Sequence, residues 1–189
     1  MKTYYWLNLN RLISHLGRSF LALAIAGASL TLSTAHVSAS RPGIITGGFS
    51  PCFNPAGPPR QVGDNTIVTF NVTVDATGSF TGQLEGTELD VIHPDGSITL
   101  FGVGLFTGSL NGGPSGTLVF TWTGIGNLNT GHETLNLVGG DGTDGLAGLY
   151  TWATAIGNLC QPGQPGCPGG DCAVAGAGTY TGHVVSRPR

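Results

Sequence analysis

The chain has 189 residues, of which 33 are glycine, ten are acidic and only seven are Lys or Arg. No Lys or Arg occurs between Gln61 and Ser186, so most of the chain lacks the cations that a phosphate cradle, a nucleic-acid groove, an anionic-membrane patch or a Schiff-base lysine requires. We therefore expect no nucleic-acid partner and no cofactor.

The start of the chain has the three parts of an export signal. Three basic residues come first, followed by an apolar run at 20–32 and by small residues at 37–39 that offer a cleavage site. The alternative is a retained membrane anchor, but the apolar run is well short of the roughly 20 residues that cross a bilayer. We interpret 1–39 as a signal peptide and 40–189 as one domain. This predicts a secreted or periplasmic protein that has no membrane association after cleavage.

Beyond the leader, apolar and polar residues alternate with the period of two that is typical of β-strands, as in Val68, Phe70, Val72 and Val74. Turns rich in glycine and proline separate these segments, and none has the apolar stripe of an amphipathic helix. The sequence therefore predicts an all-β domain without crossover helices. The eight predicted strands are 44–52, 66–75, 79–93, 97–109, 117–123, 132–138, 146–155 and 175–185.

An aromatic residue followed by threonine and glycine occurs four times, beginning at Phe80, Phe106, Trp122 and Tyr180. In a strand the ring and the glycine share one face, and the threonine lies on the other. A ring can then cover a glycine on the neighbouring strand, which is how strongly coiled sheets remain closed. The triplets predict a curved antiparallel sheet, and we expect a barrel.

The predicted strand 97–109 is apolar on both faces. Ile98, Leu100 and Phe106 lie on one face, whereas Phe101 and Val103 lie on the other together with a leucine. Because an exposed apolar face of this size is unusual in a monomer, we expect it to be covered. A terminal segment and a second subunit, which would make a homo-oligomer, are the two candidates.

Several turn and packing motifs point to a known family. The segments FTGQLEG at 80–86, PDGS at 94–97, FTGSLNG at 106–112 and GLAGL at 145–149 resemble an uncharacterised bacterial family of small barrel proteins. That family is similar to plant allene oxide cyclase and, more remotely, to dirigent proteins. The resemblance implies an eight-stranded antiparallel β-barrel of the calycin kind, with a cavity that holds an apolar substrate, often in a homo-oligomer.

The chain departs from this family in two places. The family's first strand usually carries a tryptophan followed closely by an acid, whereas this chain has FSPCF at 49–53. The cysteine-containing insertion near 157–173 is also foreign to the family. No catalytic residue of the plant cyclase matches a position here, so the resemblance assigns none.

Four cysteines, Cys52, Cys160, Cys167 and Cys172, form an even set in a chain that we expect to be exported. This favours two disulfides over the alternative of a zinc site, because the spacing is not a paired CxxC pattern. Three connectivities are possible. We expect one bridge within the insertion and another from the insertion to the strand of Cys52.

Two further patterns suggest metal sites, and each has a simpler explanation. The segment GGDGTDGLA at 139–147 fits the calcium-binding nonapeptide of parallel β-rolls, but those sites form between stacked repeats and the chain has one copy. We interpret it as a glycine-rich turn. His93, His132 and His183 lie in three different strand regions without a local ligand pair, so we interpret them as surface or turn residues and predict no metal site.

Carboxylates within the strands are the candidates for chemistry. Glu133 shares a strand face with Leu135 and Leu137, so it lies at the rim of the cavity if those leucines face inward. Such a carboxyl has a raised pKa and can act as a general acid or base. The alternative is that it faces water. Phe120 and Trp122, together with the same leucines, are the candidate ligand contacts.

The third predicted strand carries Glu85, Glu88 and Asp90 on opposite faces. Which of them face inward is open, because Gly86 offers a place for a β-bulge that would reverse the alternation. We take Glu85 with Glu133 as the candidate catalytic residues.

Three classes of function fit these patterns. The first is a binding protein whose barrel holds a small apolar molecule. The second is a cofactor-free isomerase or cyclase of the allene oxide cyclase type, in which one carboxylate transfers a proton. The third is a structural or surface-interaction protein with a packed barrel. Binding ranks first because it requires only an apolar interior, whereas catalysis also requires an inward acid.

Overall fold

The computed structural model describes residues 42–161, 167–168 and 171–186, and the predicted signal peptide lies outside this part of the chain. The described residues form nine β-strands and one turn of 3-10 helix, Asp144–Leu146. Among them there is no helix long and apolar enough to cross a membrane. The strands are β1 (Gly43–Pro55), β2 (Arg60–Val62), β3 (Asn65–Gly78), β4 (Phe80–Ile92), β5 (Ser97–Leu110), β6 (Gly116–Asn127), β7 (His132–Gly140), β8 (Leu149–Cys160) and β9 (Val174–Ser186).

The eight long strands form one closed antiparallel β-barrel. Neighbours along the sheet follow the order β1-β9-β8-β7-β6-β5-β4-β3, and pairing between β1 and β3 closes it. Closure follows from the composition, because short turns join successive strands and glycines allow the sheet to coil tightly. The predicted all-β, eight-stranded antiparallel barrel is confirmed.

Two places on the chain differ from the prediction in the kind of structure they form. The short strand β2 was expected to be loop, but it pairs with the start of β3 next to a turn at Gly63, whose φ is +59°. Leu146 was expected to begin a strand, but it lies in the 3-10 turn and is fully buried in the core. In both places the strand ends at a turn without a change in hydrophobicity. The period of two in the sequence therefore does not reveal where the strand ends.

One end of the barrel is filled by aromatic rings. Phe80, Phe106 and Phe120 pack edge to face, with ring centroids 5.4 to 6.2 Å apart. The hydroxyl of Tyr180 accepts a hydrogen bond from the Phe80 amide (2.9 Å) and donates one to the carbonyl of Thr77 (3.1 Å). Offset ring pairs and a satisfied phenol make this end a well-packed core.

The aromatic-Thr-Gly triplets have the predicted geometry. All four rings face inward, and all four threonines are exposed. The indole of Trp122 covers Gly102, and the phenol of Tyr180 covers Gly47. Each covered glycine lies opposite the aromatic residue on the neighbouring strand.

Two disulfides are formed, Cys52–Cys172 and Cys160–Cys167, with Cα–Cα distances of 5.3 and 6.3 Å. The expected pairing is confirmed, and the zinc alternative is wrong because all four thiols are oxidised. β8 continues to Cys160, which pairs with Ala175 of β9, so the strand extends into the region near 157–173 where the insertion was predicted. Two disulfides are typical of an exported protein.

The outer face of β5 is apolar, as the sequence predicted. The side chains of Phe101, Val103 and Leu105 are all exposed on it. A homo-oligomer that covers this face stays a prediction.

Candidate ligand-binding cavity

The interior of the barrel contains a cavity of about 100 Å³. It lies between the aromatic end and the opposite end, where the connections β4–β5, β6–β7 and β8–β9 are found. Its described lining is apolar except for Glu88, Glu133 and the phenol of Tyr180. The other lining residues are Ile45, Phe49, Pro51, Phe53, Val72, Val74, Ala76, Phe80, Leu84, Phe106, Phe120, Trp122, Leu135, Leu137, Ala153 and Ala155.

Strand β4 places its acids on both faces of the sheet. Its pairing with β5 is unbroken from Phe80 to Ile92, so no bulge reverses the alternation at Gly86. Even-numbered residues therefore face inward: Glu88 is 4% exposed and Asp90 is 8% exposed. Glu85 was expected to be catalytic. It is exposed on the outer surface and does not line the cavity.

A glycine on β5 allows Trp122 to reach Glu88 across an intervening strand. Gly102 lies opposite Glu88 on β4 and opposite Trp122 on β6. A Cβ atom at Gly102 would overlap the indole, so only glycine leaves room for the ring. The indole Nε1–H donates a hydrogen bond of 2.5 Å to Oε2 of Glu88. This bond fixes the Glu88 carboxyl at the cavity wall.

Burial, and after it the neighbouring charge of Asp90, raise the pKa of Glu88 to about 8. The hydrogen bond from Trp122 acts in the opposite sense, because an N–H donor favours the ionised carboxylate. Glu88 therefore holds a proton near neutral pH. It is the most perturbed acid of the described residues for which a pKa value is resolved.

Asp90 lies two residues further along the same face of β4. Its Oδ1 atom is buried and has no hydrogen-bond partner. The pKa of Asp90 is raised to about 6, because burial raises it more than a hydrogen bond with the Glu88 carboxyl lowers it. The two carboxyls share a proton, so their titrations are coupled.

Glu133 enters the cavity from β7, on the same face as Leu135 and Leu137. Its side chain lies over Gly126, where an added Cβ would be 3.1 Å from the Glu133 Cγ. The pKa of Glu133 is raised to about 7, because burial and the charge of Asp90 raise it more than nearby His132 lowers it. Asp90 thus acts on the acids of both strands.

The structure brings most of the predicted site together and adds two acids. Phe120, Trp122, Leu135 and Leu137 all line the cavity beside Glu133. Glu88 and Asp90 were not chosen from the sequence. The sequence signal for their inward direction was the period of two, which begins at the buried ring of Phe80 and continues without interruption to Asp90.

The patterns that suggested metals have other roles. Among the described residues there is no group of three His, Cys, Asp or Glu side chains placed to hold a metal ion. In the nonapeptide segment, Asp144 accepts a hydrogen bond from Thr143 within the 3-10 turn. His93 lies within hydrogen-bond distance of Asn65 and Thr99, and His132 within that distance of Asn158.

Comparison with known proteins identifies a family and a similar structure. The family model described as a protein of unknown function (DUF3224) matches residues 45–155, which include all three interior acids and Trp122 but not the cysteine insertion. No curated protein sequence matches the chain. A crystal structure at 1.84 Å of a DUF3224 protein of unknown function from Shewanella oneidensis MR-1 is 18% identical, covers 79% of this chain and 100% of that chain, and has a TM-score of 0.58. At this identity the similarity shows the fold alone.

Proposed function

The chain belongs to the DUF3224 family, and we propose that it binds a small, mostly apolar molecule inside its barrel, in the cell envelope or outside the cell. The observation that carries this proposal is the cavity, whose apolar wall is interrupted by acids on one side. Ligand sites commonly combine an apolar wall with a few convergent polar groups and perturbed pKa values. The two disulfides support the exported location.

The size of the cavity limits the ligand. An engineered cavity of about 150 Å³ binds benzene, so the present volume of about 100 Å³ suits a compact molecule or one compact part of a larger one. A purely structural role for the barrel has less support, because close packing to the density of a protein core would leave no such space.

Native mass spectrometry of the exported protein, purified from its host, tests the proposal. We expect a retained small-molecule adduct. Ala153 lines the cavity, so Ala153→Leu should fill part of it and abolish the adduct. The matched control is Thr154→Leu, which adds bulk to the exposed outer face of the same strand and should retain the adduct. Absence of any adduct from repeated preparations would contradict the proposal, as would equal retention by both variants.

A cofactor-free isomerase or cyclase of the allene oxide cyclase type is the second candidate. Three inward acids favour this second candidate. The pKa values of Glu88 and Glu133 are raised to about 8 and about 7, so each carboxyl can gain or lose a proton near neutral pH beside the apolar cavity. In such a reaction the cavity would orient the substrate and one carboxyl would take up or release a proton. Glu85 has no part in it, because its side chain faces outward.

Incubation of the retained molecule with the protein tests this second candidate. We expect conversion to an isomer of equal mass that chromatography separates. Glu133→Gln should slow the conversion by about 100-fold or more, the usual effect of losing a general acid or base, while binding persists. Glu85→Gln removes an acid from the outer face and should leave the rate unchanged. An unaltered molecule after prolonged incubation argues against catalysis.

A further inference from the structure

No Lys or Arg among the described residues lies beside the interior acids, and His132 lowers the pKa of Glu133 alone. Glu88, Asp90 and Glu133 face one another from β4 and β7, and the pKa of each is raised. Arg60 is the only Lys or Arg among the residues that the structure describes, and it is exposed on β2. Buried acids in proteins are ordinarily paired with a cation or a metal. This cluster therefore supplies the acidic groups of an ion pair and requires a cation to complete it.

The cluster also has an unused hydrogen-bond acceptor. Oδ1 of Asp90 is buried without a partner, although Asp90 is only 8% exposed and its charge acts on Glu88 and Glu133 alike. A buried acceptor without a donor is unfavourable, and native structures seldom retain one without a reason. Glu88 and Glu133 line the neighbouring cavity, and Asp90 lies two residues from Glu88 on the same inward face of β4, so a donor bound between these acids can satisfy this oxygen.

We propose that the barrel recognises an organic amine, in which a compact apolar body fills the cavity and a protonated nitrogen is bound by Glu88, Asp90 and Glu133. The inference rests on the proposed function, and it specifies the charge and the donor group of the ligand. A protonated primary amine has three N–H donors, and each would find a carboxyl acceptor in this cluster. Charge-assisted hydrogen bonds of this kind are stronger than neutral ones.

The chemistry of the wall favours an amine over other polar ligands. A carboxylate or phosphate would meet three acids and no Lys or Arg of the described residues, so its binding would be opposed. A divalent metal ion requires a group of ligating side chains that the described residues do not provide. An alcohol offers one donor and no charge, so it would bind through its apolar body alone.

Two matched probes test the inference by isothermal titration calorimetry on the exported protein at neutral pH. Cyclopentylamine and cyclopentanol have the same ring and differ in charge. We expect the amine to bind at least tenfold more tightly. The preference should weaken at pH 5, because Asp90 and Glu133, whose pKa values are raised to about 6 and about 7, are then protonated and carry no charge.

Three variants locate the recognition. Glu133→Gln and Asp90→Asn should each reduce the preference for the amine to about threefold or less and leave the affinity for cyclopentanol unchanged. Glu85→Gln removes the same charge from the outer surface of the same barrel and should retain the full preference. Testing both interior variants guards against one that fails to fold.

The outcomes separate this inference from the proposed function. Equal binding of the two probes would overturn the amine specificity and leave apolar binding intact. Binding of neither probe would overturn both. A preference that survives both interior variants would show that the amine is recognised elsewhere, which also overturns the inference.

Discussion

Replacing Glu133 with glutamine should make the barrel more stable at alkaline pH and leave its stability unchanged at acid pH. The side chain lines an apolar cavity, with Asp90 acting on it from β4. Glutamine has nearly the same shape as the protonated acid but never ionises. The substitution therefore removes the cost of placing a charge at this position and leaves the packing over Gly126 in place.

The sign follows from the direction of the pKa shift. In the folded protein the pKa of Glu133 rises from 4.5 to about 7, so below pH 4.5 the carboxyl is protonated in both states. As the pH rises, the unfolded chain loses this proton first, and the folded state becomes progressively less stable until the pH passes about 7. Each tenfold difference in proton affinity is about 1.4 kcal/mol, so the loss is about 3 kcal/mol at pH 8.

Urea unfolding at pH 4.5 and pH 8, followed by tryptophan fluorescence with the disulfides intact, measures this effect. The natural protein should lose unfolding free energy between the two values of pH, and Glu133→Gln should lose about 3 kcal/mol less. Glu85→Gln, on the exposed outer face, should stay within about 0.5 kcal/mol of the natural protein at both. If the natural protein and the Glu133 variant show the same dependence on pH, the carboxyl is not desolvated and the reasoning is wrong.

Three other changes test the architecture of the site. Gly102→Ala should destabilise the barrel by about 3 kcal/mol in urea unfolding, because its Cβ overlaps the indole of Trp122. Trp122→Phe should raise the pKa of Glu88 further, measured by carbon-13 NMR of the carboxyl, because the indole N–H lowers it. Replacing Cys52 and Cys172 together by serine should cost about 5 kcal/mol, since the bridge joins residues 120 apart.

Two of these changes have a matched control. Gly57→Ala adds a methyl group where no atom lies within 4 Å, so the stability of this variant should equal that of the natural protein. The bridge Cys160–Cys167 spans only seven residues, so its removal should cost about 2.5 kcal/mol, clearly less than the long bridge. A fall in the pKa of Glu88 in Trp122→Phe, or equal losses from the two bridges, would contradict the respective argument.

The barrel was predictable because its signals are local. Alternation with a period of two identifies each strand, and glycine-rich turns separate strands that pair with their neighbours. The inward rings at Phe80, Phe106, Trp122 and Tyr180 follow from the triplets for the same reason. Closure pairs β1 with β3, which are not consecutive strands of the chain. The aromatic residues that cover cross-strand glycines were the signal in the sequence that favoured closure.

The acid cluster was only partly predictable, because β4 inverts the usual hydrophobic pattern near its end. Glu88 and Asp90 face the interior, while Leu89 is 37% exposed on the surface. Hydrophobicity alone would therefore assign the wrong face to this half of the strand. Glu133 was identified because its neighbours Leu135 and Leu137 keep the ordinary pattern. The hydrogen bond from Trp122 to Glu88 crosses an entire strand, and only the three-dimensional register reveals it.

The inversion in β4 is itself an argument for function. Apolar residues in place of Glu88, Asp90 and Glu133 would fill the interior without a desolvation cost. A barrel selected only for stability has no use for three buried acids that no Lys or Arg of the described residues accompanies. Groups with perturbed pKa values concentrate at functional sites, where a protein retains interactions that lower its stability. The burial that destabilises these acids also strengthens their attraction for a cation, because the surrounding wall is apolar. The same three residues therefore account for the predicted loss of stability at alkaline pH and for the proposed recognition of an amine.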